Sequence, residues 1–357
     1  MFIRNIWYVA AWASEIQPDT LVARMYLDVP VVLWRDADGV AHAFEDRCCH
    51  RGAPLSKGRI ESNCVRCMYH GLLFDTTGRC VDVPGQDKIP RFAKVRSFPL
   101  AEKGTFLWIW MGDADKADPA LIPDMPWMES LQWAHIQGYT HYDANYLLLC
   151  DNLLDLAHLP YVHPTTLGGD EAYARTPATI ERIDNGLRVT RWVRDIAPPP
   201  FVQEVRPFDG LVDRWNNYDF VLPAVFLMDS GVAPAGTGAP EGRRIDAAEF
   251  RSTQAITPET ANSAHYWYCQ PHNFAVDQPE VTRKVMDAVE TAFLEDKAMI
   301  SAQAHSLDLE PDFRMIPIKA DEGLTRFRLL VNQRIVEEKH EATRTAENKL
   351  ASEPVQA

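Results

Sequence analysis

The chain is poor in positive charge. Its 36 Lys and Arg stand against 50 Asp and Glu, a formal net charge of −14 at pH 7. A surface of that sign repels phosphate backbones and anionic headgroups, so nucleic acid and acidic membrane are excluded as main partners. Also lacking is any apolar run near the ~20 residues that span a bilayer. No small-residue cleavage site follows a long apolar stretch near the N-terminus, so no signal peptide is expected. The expected location is the cytoplasm, where thiols stay reduced. Internal repeats are missing too. Cysteine is scarce, 7 in 357 residues, and five of the seven fall between Cys48 and Cys80. An odd number, so crowded, points to metal chemistry before a disulfide framework.

The length suits two domains. Residues 1–118 are rich in short apolar runs, such as Val31-Val32-Leu33-Trp34 and Phe106-Leu107-Trp108-Ile109-Trp110. Turn signals separate them: Asp38-Gly39, Thr77-Gly78-Arg79 and Pro84-Gly85. A loose Asp/Pro-containing stretch around Asp118-Pro119 marks the boundary. The second domain, 119–338, mixes both patterns. A helix is predicted over 145–163, interrupted by Pro160; strands over 178–275; and the clearest helix over 279–305. The fold class is therefore α+β. The polar, highly charged tail, 339–357, is expected to be disordered.

The chemistry begins at Cys48-Cys49-His50-Arg51-Gly52 and Cys67-Met68-Tyr69-His70-Gly71. The pattern is Cys-x-His, sixteen residues, then Cys-x-x-His. Two thiolates, Cys48 and Cys67, can hold one iron, and two imidazoles, His50 and His70, the other. That mixed ligation is the Rieske [2Fe–2S] centre. The glycines after each pair let the backbone turn tightly. A structural Cys2His2 zinc site is the alternative. The strand-rich surroundings and the loop Val83-Pro84-Gly85, suited to capping a cluster, argue against it. A Cys64-x-x-Cys67 dithiol competes for a residue better used as a ligand. Cys80, Cys150 and Cys269 read as packing residues.

A second metal is indicated downstream. Asn152, Asp155 and His158 recur every three residues and share a helix face, and Pro160 can turn His163 back toward His158. Two imidazoles among Leu153, Leu154, Leu156 and Leu159 need a reason to be there. A carboxylate would complete a two-His, one-carboxylate iron(II) site with open positions. The helix over 279–305 offers one. Its apolar stripe runs through Val285, Val289, Ala292, Phe293, Met299 and Ile300, with Asp296 inside it. Glu295, about 100° around the helix, is read as a solvent-facing residue. Asp155 can accept the outer N–H of a ligand histidine and fix its tautomer.

With both motifs in hand, the sequence resembles the Rieske non-haem iron oxygenases. The branch is that of vanillate O-demethylase, dicamba O-demethylase and toluenesulfonate methyl-monooxygenase. The carrying segments are Asn5-Ile6-Trp7-Tyr8-Val9-Ala10, Cys49-His50-Arg51-Gly52-Ala53-Pro54-Leu55, Tyr69-His70-Gly71-Leu72, Asp151-Asn152-Leu153-Leu154-Asp155-Leu156 and Glu295-Asp296-Lys297. The resemblance implies an N-terminal all-β Rieske domain and a C-terminal helix-grip (START-like) catalytic domain with an antiparallel sheet. It also implies a head-to-tail homotrimer, in which Asp155 bridges His70 of one subunit and His158 of the next.

The function so implied is that of a terminal oxygenase component. Electrons come from NAD(P)H through a separate flavin/iron–sulfur reductase or a ferredoxin. With O2 as co-substrate, a methyl or methoxy group of a small aromatic acid is hydroxylated. Ring cis-dihydroxylation is the alternative within the class, and a Rieske electron carrier without catalysis the alternative outside it. The segment from Arg47 to Arg96 holds ten Lys or Arg against four Asp or Glu, a candidate docking face for an acidic electron donor. No single Arg or Lys in the sequence marks a site for the substrate's acid group.

Overall fold

The computed structural model describes residues 1–352. Eleven short strands build the N-terminal part in three sheets. Strand β1 (Trp7–Trp12) pairs with β11 (Phe106–Trp110), which pairs with β10 (Leu100–Lys103). A second sheet runs β2 (Val22–Tyr26), β3 (Val29–Arg35), β4 (Ala41–Glu45) and β9 (Ser97–Phe98). The third runs β5 (Arg59–Glu61), β6 (Cys64–Arg66), β7 (Leu73–Asp75) and β8 (Cys80–Asp82).

The two apolar runs β1 and β11 are buried at every position. Strands with one wet face alternate, so a continuous run means both faces are covered. Here the second cover is the C-terminal half. The Thr257 hydroxyl donates to the Val9 carbonyl at 2.6 Å, and the Trp12 indole N–H to the Gly138 carbonyl at 3.0 Å. Residues 1–118 thus feed two cores. One is shared with the C-terminal half. The other, around Trp34, Phe44, Leu55, Val65 and Phe74, sits under Cys48 and Cys67.

The C-terminal half is built on one antiparallel sheet of seven strands: β12 (Gln137–Tyr142), β13 (Thr179–Ile183), β14 (Gly186–Ile196), β15 (Val212–Val221), β16 (Val225–Pro234), β17 (Ala248–Thr260) and β18 (Ser263–Cys269). Spatially the order is β12-β18-β17-β16-β15-β14-β13. Helices α1 (Tyr146–Leu154), α2 (Leu159–Val162), α3 (Ala172–Arg175), α4 (Pro200–Val205), α5 (Pro279–Leu309) and α6 (Glu322–Ser352) accompany it. Helix α5 buries Val285, Val289, Ala292, Phe293, Asp296 and Ile300, as its stripe predicts; Met299 instead lies exposed.

Two expectations are corrected. The helix predicted over 145–163 breaks at Asp155 rather than Pro160. Asp155 leaves the helical region (φ −123°, ψ 89°), and its carboxylate accepts the Ala157 N–H at 2.9 Å, starting a 3-10 turn, Leu156–His158. A side chain that caps the next turn competes with the helix it ends. Pro160 sits in the first turn of α2, where its missing N–H costs nothing.

The tail expected to be disordered from 339 is helical through Ser352, and residues 353–357 lie outside the described residues. The helix is nucleated upstream by Phe327, Leu330 and Val331, whose i, i+3, i+4 spacing packs them into the core. Charged residues of good helix propensity then carry it on. Glu338 accepts the backbone N–H groups of Arg4 and Asn5, both at 2.8 Å, and Glu341 pairs with Lys116 at 2.8 Å. No helix among the described residues is long and apolar enough to cross a membrane.

Candidate metal centres and the substrate cavity

The two Cys/His loops close in the same way. Cys48 N–H donates to the Ala53 carbonyl and Cys67 N–H to that of Leu72, both at 2.8 Å. Gly52 and Gly71 N–H return to the carbonyls of Cys48 and Cys67, both at 2.9 Å. Each return needs a left-handed residue, and the glycines supply φ of 71° and 77°. At Gly71 a Cβ would also lie 2.7 Å from Pro84 Cγ, so the Val83–Gly85 loop packs directly on the second cluster loop.

The loops face each other. Cys48 and Cys67 are buried, whereas His50 and His70 are exposed with ring centroids 4.5 Å apart. Burial pushes the Cys48 thiol up to about 12, so a thiolate forms there only with a metal to hold it. Inner thiols and outer imidazoles fit the asymmetric ligation of a [2Fe–2S] Rieske centre. The remaining cysteines are free thiols. Cys80 points its sulfur at the Asp82 carbonyl, 3.3 Å away, as a packing residue would.

The second constellation assembles from three elements. His158 ends the 3-10 turn, His163 follows α2, and Asp296 comes from mid-α5. One ligand atom from each lies within 4.8 Å of the others. Asp296 Oδ1 is 3.1 Å from His163 Nε2 and 3.5 Å from His158 Nε2. The far ring nitrogens are occupied. His158 Nδ1 lies 2.6 Å from the Asp155 carbonyl oxygen, and His163 Nδ1 lies 2.8 Å from Glu295 Oε2. Those acceptors put the proton on Nδ1 of each ring and leave both Nε2 lone pairs toward Asp296.

His163 Nε2 is buried and has no hydrogen-bond partner among the described residues. An orphaned buried lone pair facing a second imidazole and a carboxylate fits a metal ion better than any protein group. Burial lowers the His158 pKa, outweighing the upward pull of Asp296, so its neutral, ligating form is favoured. Burial also pushes His163 down, but Asp296 and Glu295 outweigh it and leave the net shift upward. Asn152 steadies the carboxylate, donating Nδ2–H to Asp296 Oδ1 at 2.9 Å.

Two sequence expectations change here. Glu295 does not point away to solvent: it orients His163 and also accepts the Thr166 hydroxyl at 3.3 Å. Adjacent acids on one helix straddle the site, and the Glu295-Asp296 pair was the available signal. At His158 the tautomer anchor is the backbone carbonyl of Asp155, not its carboxylate. Because Glu295 fixes a ring and is itself held, Glu295→Ala should weaken Fe(II) affinity about 10- to 100-fold. Equilibrium dialysis against graded Fe(II) checks this, and an unchanged affinity would show that Glu295 has no such role.

The three residues open into a cavity between α5 and the concave face of β15–β17. With the open space at its mouth counted in, it offers about 710 Å³. Its walls are mostly apolar, including Phe201, Phe226, Met228, Phe250, Val289 and Phe293.

Similarity to known proteins agrees with this geometry. Residues 6–99 match the Rieske [2Fe-2S] domain family, and residues 142–337 the vanillate O-demethylase oxygenase C-terminal domain family. The iron–sulfur subunit of the toluene-4-sulfonate monooxygenase system of Comamonas testosteroni is 48% identical over 337 residues, 93% of this chain and 97% of that protein. The vanillate O-demethylase oxygenase subunit of a Pseudomonas strain is 36% identical over 328 residues, covering 90% and 97%. The crystal structure of dicamba monooxygenase bound to 3,6-dichlorosalicylic acid aligns with a TM-score of 0.88 at 33% identity, over 95% of this chain and 99% of that one. A Rieske domain joined to a helix-and-sheet domain with a two-His, one-carboxylate cluster defines the oxygenase component of a Rieske monooxygenase. Within that class the chain belongs to the vanillate O-demethylase oxygenase family, whose members similar to it include toluenesulfonate and dicamba enzymes.

Proposed function

We propose that the chain hydroxylates a methyl or methoxy carbon of a small aromatic acid, using O2 and electrons from NAD(P)H relayed by a separate reductase or ferredoxin in the cytoplasm. The observation that carries this reading is the clustering of His158, His163 and Asp296 in the wall of a mainly apolar cavity, in a chain that also bears a Rieske motif. Cys48, His50, Cys67 and His70 hold the [2Fe–2S] cluster, and His158, His163 and Asp296 hold mononuclear Fe(II). When bound, the iron supplies dioxygen activation and the cluster supplies the electrons for it.

The chain's own residues do the rest. Glu295 and the Asp155 carbonyl fix the ring tautomers, Asn152 holds the carboxylate, and the apolar walls keep water from the reacting carbon. The exposed imidazole edge at His50 and His70 suits electron exchange across an interface. It supports a head-to-tail trimer in which Asp155 meets His70 of a neighbour. A hydroxylated methoxy group collapses to a phenol and formaldehyde; a hydroxylated methyl group stays as an alcohol.

The test is turnover of a panel of methyl- and methoxy-arenecarboxylates and arenesulfonates under 18O2, with product mass scored. One labelled oxygen is expected, on the benzylic carbon of a methyl substrate or in the formaldehyde released from a methoxy substrate, whose phenol stays unlabelled. Two labelled oxygens on the ring would replace this reading with dihydroxylation. No product alongside normal cluster reduction would leave only an electron carrier.

A further inference from the structure

Two guanidiniums are buried at one side of the cavity's sheet floor with no carboxylate partner among the described residues. Arg214, on β15, is 6% exposed and lines the cavity; Arg191, on β14, is 8% exposed. They flank one aromatic ring, with Tyr173's centroid 4.4 Å from Arg214 Cζ and 4.7 Å from Arg191 Cζ. Arg214 donates to the carbonyls of Gly168 and Leu167 at 2.7 and 2.9 Å, two bonds from a group with five N–H donors. Arg191 Nη1 has no partner among the described residues.

Other arginines of this sheet have acids: Arg188 pairs with Asp219, Arg194 with Glu241 and Arg251 with Asp229. The nearest acid in sequence, Asp213, alternates to the opposite face and accepts the Asp195 and Gly236 N–H groups. Beside Arg214 on the cavity face stands Asn216, directly across from Ser230. Both are buried, and the Asn216 amide oxygen is unpartnered.

Taking two cations out of water with no counter-charge is costly unless an anion arrives. A fork of N–H donors in an apolar cavity suits a planar or tripodal oxyanion. We propose that Arg214, backed by Arg191, is the substrate's oxyanion anchor: it takes the carboxylate or sulfonate of the aromatic acid, with the ring on the apolar walls and the alkyl end toward His158, His163 and Asp296. Burial lowers the Arg214 pKa, with Tyr173 opposing and Arg191 adding to the fall, a destabilised cation that a bound anion relieves. This rests on the proposed aromatic-acid reaction and adds the residue that selects the acid. Cation–carbonyl bonds to the loop after His163 give Arg214 a second, structural duty, which the test must separate.

The probes are 4-toluenesulfonate, 4-methylbenzoate and the neutral 4-methylbenzamide, bound to holoenzyme and followed by calorimetry. Wild type should bind at least one anion about ten-fold or more tighter than the amide. Arg214→Met should weaken that anion about thirty-fold or more and leave the amide within about two-fold. Arg191→Met, which touches no loop carbonyl, should weaken the anion by a smaller factor and not the amide. It also serves as the reading if Arg214→Met yields no holoenzyme. The anion that binds more tightly names the acid group. Equal binding of amide and anions in wild type, no binding of either anion, or equal loss of amide and anion in both variants overturns the proposal. Anion preference without methyl oxidation would spare the anchor and remove the proposed reaction; methyl oxidation without anion preference would do the reverse.

Discussion

Asp296→Ala should lower substrate oxidation by roughly a thousand-fold or more, about 4 kcal/mol or more of lost transition-state stabilisation. The Rieske absorption and its reduction by the electron donor should remain. Among the described residues, Asp296 is the carboxylate that groups with the His158 and His163 ligand atoms within 4.8 Å. Its loss leaves two neutral imidazoles, a poor site for a hard divalent ion. The cluster loops lie in a separate core and should not register the change. In the proposed trimer, mixing Asp296→Ala chains with Cys67→Ser chains should restore part of the activity. Each intact cluster could then face an intact iron site on a neighbour. Failure of heterotrimers to recover any activity would confine electron transfer to one chain. Full activity in Asp296→Ala alone would remove the iron site from the account.

Asp155→Asn should slow turnover about 100-fold, the scale of a lost partner around a metal ligand, with both metals retained. The substitution is chosen for what it keeps. Asp155 Oδ1 accepts the Ala157 N–H, which an amide oxygen can also do, so the break between α1 and the 3-10 turn survives. The His158 tautomer survives as well, since the backbone carbonyl holds it. What goes is the negative charge that, in the proposed trimer, Asp155 would offer to His70 of a neighbour. Single-turnover kinetics should show cluster oxidation slowed while substrate binding is unchanged. Normal turnover in this variant would sink the coupling role.

How much of this was legible in the sequence follows the range of each interaction. The four cluster ligands sit in two short loops, so their spacing alone exposed them. His158 and His163 were visible for the same reason. Asp296 was visible because an acid in an apolar helix stripe has no cheap alternative. Glu295 was misjudged, since a half-exposed acid looks like a surface residue until the chain from His163 folds onto it. The break at Asp155 was misplaced because proline is the louder signal, yet a carboxylate capping its own next turn ends the helix first. The charged segment after 338 hid a helix whose anchor lies upstream and whose contacts, at Arg4, Asn5 and Lys116, are distant in sequence. Arg214 could not be singled out at all. An arginine in a strand is ordinary, and only the folded chain shows that Arg214 is buried on backbone carbonyls with no carboxylate partner among the described residues.

The central claim is that one chain carries both an electron relay and a separate reactive iron. Iron and acid-labile sulfide per chain, measured after anaerobic reconstitution with Fe(II), test it most directly. About three irons with about two sulfides is the expected result, and chelation should remove the third iron without bleaching the cluster. About two irons with about two sulfides, unchanged by added Fe(II), would contradict it.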